Sequence, residues 1–350
     1  MPPSTRIPSH LQPYIRPRRD DSLLLLTSTL GATANWLIVR FLCDALSSNG
    51  EAGGDEQGSN VVLVSWMREF EFWRQEARKG GGLDLERLRR DGRFAFVDGL
   101  SELCLDTSNT TPSAARKLSH TTTASAGQGS QTQRWPQTLP VRGPPGRTIP
   151  ARGPPPPPAA APSSASPTQT TTGHYTLNSL DLASLRTTLT TAISSLASTP
   201  QRKTLLVLDN PDLLLALDPS LQPTSLTSLI LALHASPNVS HILTHIHADN
   251  PLLGQSTPPQ PLELAHHNFL VKLAHMSTRI LGVRVLDTGV ARDVSGVVRI
   301  TEQRVGWVGL GFDGNGDDGG EEDKGGKEFL YQVKGDGSVK VFERGAGGEG

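Results

Sequence analysis

The stretch Thr27-Ser28-Thr29-Leu30-Gly31-Ala32-Thr33-Ala34-Asn35-Trp36 is where phosphate chemistry would be sought, because it follows an apolar run and opens a helical pattern. A turn that cradles phosphate has the form G-x-x-x-x-G-K-[ST]. Its glycines let backbone N–H groups close round the phosphate, and its lysine reaches the outer phosphates. Of that pattern only Gly31 is present, and no lysine or arginine lies between Asp21 and Arg40. Phosphoryl transfer depends on positive charge at this point. Losing one preorganised charge-stabilising group typically costs on the order of a hundred- to thousandfold in rate. The turn therefore predicts a chain that hydrolyses no ATP of its own and has neither a catalytic nor a cofactor site.

Other groups of chemical interest are weighed in the same way. Leu205-Leu206-Val207-Leu208-Asp209 has the form of a magnesium-holding strand with an acid at its carboxyl end. Asp209 or Asn210 ahead of Pro211 is also a good helix start, a capping side chain followed by proline in the first turn, and in the absence of a phosphate turn the cap is favoured. His241, His245 and His247 fall on one face of a strand, where H-x-H could ligate a metal, but no carboxylate or cysteine nearby completes a set. They are expected to line the carboxyl edge of the sheet or to contact a neighbour, with His266, His267 and His275 at a surface or interface. Asp313–Lys324 resembles a calcium loop but lacks the glycine at its sixth position and the glutamate at its twelfth. Trp66, Phe70, Phe72 and Trp73 sit among Arg68 and Arg74; packing in a core or against a partner is favoured over stacking on bases. Cys43 and Cys104 stand in apolar surroundings without metal or disulfide spacing.

The elements that must position these residues are legible from periodicity. Ser22–Ser28 reads as a buried strand and Ala34–Leu46 as a helix, followed by strand Val61–Ser65, a helix over Met67–Lys79, a helix over Leu83–Arg90 and strand Phe94–Asp98. After a long break come a helix over Leu177–Ala197, strand Thr204–Asp209, helices near Pro211–Leu217 and Ser225–Ala235, strand Val239–His247 and a helix over Leu262–Met276. Continuous apolar strands alternating with helices predict a mostly parallel sheet covered on both faces. The last four runs, Arg279–Leu286, Val297–Glu302, Glu328–Val333 and Ser338–Phe342, are joined by turns and predict an antiparallel extension. Residues 1–21 read as an extended lead-in, broken by Pro2, Pro3, Pro8, Pro13 and Pro17. Residues 22–106 and 173–350 form the two parts of one domain. Residues 107–172 are poor in apolar residues and basic, a disordered insertion; residues 309–327 form an acidic loop. The formal net charge of -1 supplies no global field for nucleic acid or anionic membrane. The longest apolar run, Leu23–Leu26, is far short of the roughly 18 to 20 residues of a membrane span, so a soluble protein without membrane contact is expected, and the two cysteines without disulfide spacing point to a reducing compartment, the cytoplasm or also the nucleus.

Taken together, LLLLTSTLGATANWLIVRFL, VVLVSWMREFEFWRQEARKGGGLDLERLRRDGRFAFVDGL, LLVLDNPDLLLAL, NVSHILTHIHADNPLL and HNFLVKLAHMSTRILGVRVLDTGVARDVSGVVRITEQ resemble the Elongator complex protein 6 family of filamentous fungi. The resemblance covers most of the chain outside the insertion, the first residues and the acidic loop. It implies a RecA-like fold that has lost its phosphate loop, and a hetero-hexameric ring with Elongator proteins 4 and 5 that binds tRNA. It further implies association with the catalytic subcomplex of Elongator proteins 1, 2 and 3, in support of wobble-uridine modification. By position, the segments Asp209–Ser225 and Ala248–Gln260 would face the channel of such a ring. Trp66, Phe70, Trp73 and Arg292 are the expected subunit contacts. The competing expectation is an ATPase or kinase with an atypical phosphate loop.

Overall fold

Each apolar run has side chains alternating between two faces, and in the computed structural model those faces become the two layers of the core. The structure describes residues 7–16, 22–46, 58–103, 172–196, 202–254, 256–289, 291–302 and 326–343. All of them belong to the unit formed by residues 1–105 and 170–350. Cys104, nearly all of the basic insertion and nearly all of the acidic loop lie outside the described residues.

Ten strands form one sheet: β1 Ser22–Ser28, β2 Asn60–Ser65, β3 Phe94–Asp98, β4 His174–Thr176, β5 Thr204–Asp209, β6 Val239–His247, β7 Arg279–Arg284, β8 Gly296–Glu302, β9 Lys327–Val333 and β10 Val339–Glu343. Their order is β10-β9-β8-β7-β1-β6-β5-β2-β3-β4. From β7 through β4 every pairing is parallel, and β7 to β8, β8 to β9 and β9 to β10 are antiparallel. The parallel sheet and the antiparallel extension are those expected from the helices and turns between the runs. The three-residue β4 was not expected; it adds a parallel strand at the edge beside β3.

The helices are α1 Gln12–Ile15, α2 Asn35–Leu46, α3 Phe70–Glu76, α4 Leu85–Arg90, α5 Leu182–Leu196, α6 Leu213–Leu217, α7 Pro223–His234, α8 Asn250–Leu253 and α9 Pro261–Met276. One layer packs Leu24 and Leu26 of β1, Val61 and Leu63 of β2 and Leu205 and Val207 of β5 against α2, α3 and α4. The other packs Leu23 and Leu25, Val62 and Val64, and Leu206 and Leu208 against α5, α6, α7 and α9. With both faces covered, the strands have no polar alternation to show, which is why they read as unbroken apolar runs.

Two local expectations are corrected. The lead-in is not wholly extended: Ser9–Leu11 and α1 make a short helical segment whose Leu11 and Ile15 are fully buried. Pro13 falls in its first turn, where a missing N–H removes no helical hydrogen bond. The helix expected over Met67–Lys79 starts later, at Phe70, because the Arg68 N–H donates to Ser65 Oγ at 3.1 Å and holds the chain in a turn. It then runs on through a wider turn, Ala77–Gly81, and closes at Gly82, whose φ of 60° suits glycine. No helix among the described residues is long and apolar enough to cross a membrane.

Candidate functional site

In open parallel sheets, ligands gather outside the carboxyl ends of the strands, at the point where successive connections leave toward opposite faces. Here that point lies between β1 and β6. The connection after β1 enters α2 on one face, and the connection after β6 enters α9 on the other.

The parity of each strand sets which side chains meet there. Leu24 and Leu26, Val61 and Leu63, Leu205 and Val207, and Leu243 share the layer covered by α2. Two residues further along the same alternation stand Ser28, Ser65, Asp209 and His245. They make a chain of hydrogen bonds across four strands. Ser28 Oγ and His245 Nε2 are 2.9 Å apart, His245 Nδ1 and Asp209 Oδ1 2.8 Å, and Ser65 Oγ donates to Asp209 Oδ2 at 2.7 Å. The Arg68 guanidinium stands 3.8 Å from the same Oδ2. All four linked residues are at most 3 % exposed. In so dry a setting a polar group is tolerated because its partners are present.

Asp209 is therefore not the helix cap favoured from the sequence: its carboxylate is spent on His245 and Ser65, and α6 starts after Asp212 with no side-chain cap. Asn210 takes a φ of 61°, which its short amide side chain tolerates. Its N–H donates to the His245 carbonyl, and its side-chain nitrogen lies 2.9 Å from His247 Nδ1.

A second polar group lies beside the first. Asp212 is 6 % exposed, with His266 Nδ1 3.7 Å and His247 Nδ1 4.0 Å from its Oδ2. Burial pushes the Asp212 carboxyl above the usual carboxylate range, opposed by the neighbouring histidines. Burial likewise holds His247 below the ordinary imidazole value, against the pull of Asp212. His266, expected at a surface or interface, is 3 % exposed, and its Nε2 donates to the His247 carbonyl at 2.8 Å. No cluster of three or more metal-ligating side chains is found among the described residues.

The positive charge that phosphate requires is not restored from elsewhere on α2. Arg40 is 2 % exposed and donates to the carbonyls of Gly80 and Gly337, tying α2 to the wide turn and to the β9–β10 turn. Leu30, at the tip of the turn after β1, is 87 % exposed, and its N–H donates to Asp249 after β6. Asp98, at the end of β3, accepts from Leu100 and Ser101 in a local turn.

The four residues expected at subunit contacts are not brought together. Trp73 is fully buried in the α2 layer and Trp66 is 2 % exposed in the opposite one, so both are core residues of this chain. Phe70 is half-buried, packed on Phe96 and His174 with the Arg89 guanidinium over its ring. Arg292 alone is exposed, on the connection between β7 and β8.

The fold and the site together define an α/β chain with a mostly parallel sheet, in which one strand, β6, lies between the strand that carries the turn and the strand ending in Asp209. No family model matches the chain, and no curated protein matches it. Among solved structures, the KaiC-like protein of the hyperthermophilic archaeon Pyrococcus horikoshii is similar at 10% identity with a TM-score of 0.46, covering 97% of each chain.

Proposed function

We propose that this chain is a subunit without nucleotide chemistry in a RecA-like ring of the Elongator type. It assembles with Elongator proteins 4 and 5, and the ring binds tRNA and serves wobble-uridine modification by the catalytic subcomplex. The family and its partners rest on the resemblance of the five quoted segments. The loss of nucleotide chemistry rests on one structural observation: both carboxylate oxygens of Asp209 already accept hydrogen bonds, and the facing turn has Ser28 and no cation. The acid is thereby engaged in the relay with His245 and Ser65, and the turn offers a phosphate no charge.

Affinity purification of the tagged protein from its host tests the assembly, with co-recovery of the other Elongator subunits expected. Purification without them would overturn the assignment. Calorimetry with Mg-ATP on the isolated chain tests the chemistry; no heat of binding is expected, and micromolar affinity would favour the ATPase or kinase alternative.

A further inference from the structure

We propose that Ser28 is a nucleophile, activated by His245 and aligned by Asp209, which is acylated by small apolar carboxylic esters. This activity is independent of the ring assignment. Serine hydrolysis requires a hydroxyl within reach of an imidazole nitrogen, and a carboxylate on the other ring nitrogen to fix tautomer and orientation. Both distances are met here, at 2.9 Å and 2.8 Å. Because Asp209 accepts at Nδ1, the proton sits on Nδ1 and the Nε2 lone pair faces the Ser28 hydroxyl, a tautomer inferred from the network. Ser65 and Arg68 hold Asp209 from its other side, so the carboxylate has one oxygen fixed on the histidine. Asp209 is thus a positioning residue, and Ser28 and His245 are the catalytic pair.

The location is that of a ligand site in a parallel sheet, the carboxyl end of β1 beside β6. Ser28 is 3 % exposed, at the foot of the turn that carries Leu30 and Gly31. Gly31 has a φ of 86°, and a Cβ on it would stand 3.2 Å from Val285. The exposed side chains of Leu30 and Val285 make the surroundings of the turn apolar, which favours an apolar acyl group. In the reaction, Ser28 Oγ bonds to the ester carbonyl carbon while its proton passes to His245 Nε2. The bond to the alcohol oxygen breaks, and the alcohol leaves with that proton. Water then hydrolyses the acyl-serine by the same proton route, releasing the acid.

The test is to treat the full chain with an alkyl fluorophosphonate and read adducts by intact mass and peptide mapping. A single adduct on Ser28 is expected, lost in Ser28→Ala. Its rate should fall at least about a hundredfold in His245→Gln, the usual size of a general-base contribution. Should that variant fail to fold by circular dichroism, Ser28→Cys replaces it, and its alkylation by iodoacetamide at pH 6 should outpace that of glutathione. The proposal is overturned if folded wild type gives no Ser28 adduct. An adduct that forms as fast without His245, or a thiol in the Ser28→Cys variant no more reactive than glutathione, overturns it as well.

Discussion

Trp73 has no exposed surface, and its ring fills the space between α3 and the α2 layer. Trp73→Ala should cost about 3 to 5 kcal/mol, the range for emptying a large aromatic site, measured by urea denaturation. Arg292→Ala, on an exposed connection, should change stability by less than about 0.5 kcal/mol, so any loss of partner recovery in that variant reports an interface and not unfolding. A pH effect belongs to the same scale. His247 is held below its ordinary value of 6.5, chiefly by burial. The unfolded chain therefore takes up this proton first as pH falls, and stability present above about pH 6.5 is lost as pH drops below it. His247→Asn should flatten that decline between pH 7.5 and 5.5 in denaturant titrations, and a slope equal to wild type would refute the assignment. The relay could not be read as one unit from the sequence, although Asp209 and His245 each stand out there as a possible metal ligand. Ser28, Asp209 and His245 come from three strands far apart in the chain, and only the parallel register brings them level. The signal that could have found them is parity: Ser28, Ser65 and Asp209 each close an apolar strand on the same alternation as the core residues before them, and His245 follows Leu243 on that alternation within β6.

The elements show where periodicity suffices. Strands β1, β2, β3 and β5 to β10 and the long helices each bury a continuous or amphipathic stretch, and burial is what the pattern records. Their bounds shift where a local bond intervenes, as Ser65 Oγ does ahead of α3. By contrast β4, with three half-buried residues, has no pattern to detect. The α1 segment was hidden by its prolines and arginines, although it is held firmly. Arg279 donates to the Tyr14 carbonyl and pairs with Glu302 on β8 at 2.6 Å, while the Tyr14 and His10 rings pack on Phe329 of β9. This short helix thus covers the layer over the antiparallel extension. Ile15→Ala should cost roughly 2 to 5 kcal/mol, and thermal unfolding of the variant is the measurement. A change below about 0.5 kcal/mol would mean that the segment is not part of the folded core.

For the whole molecule, the insertion 107–172 runs between β3 and β4, which are neighbours at one edge of the sheet. Parallel neighbours need a connection of about a dozen residues, and each halving of a loop lowers its closure cost by about 0.6 kcal/mol. Replacing the insertion with a dozen Gly and Ser residues shortens the connection between Asp98 and His174 by a little under two halvings. The protein should remain folded and gain about 1 kcal/mol by denaturant titration; precipitation of the shortened chain would show that the segment contributes to the core.

The packing of α1 on β9 also bears on how the chain can be re-ordered. The first described helix and the final antiparallel strands lie side by side, while the β3 to β4 connection sits at the opposite edge of the same sheet. A circular permutant that opens at the insertion and joins the two old ends through a short linker would keep every strand neighbour in place. The same cut without the linker divides the molecule into fragments 1–103 and 172–350. The first supplies β1, β2 and β3; the second supplies β5, β6 and β7, which interleave with them. Neither fragment can complete the sheet alone, so the pair should behave as a split reporter, each half gaining structure only when its complement is present.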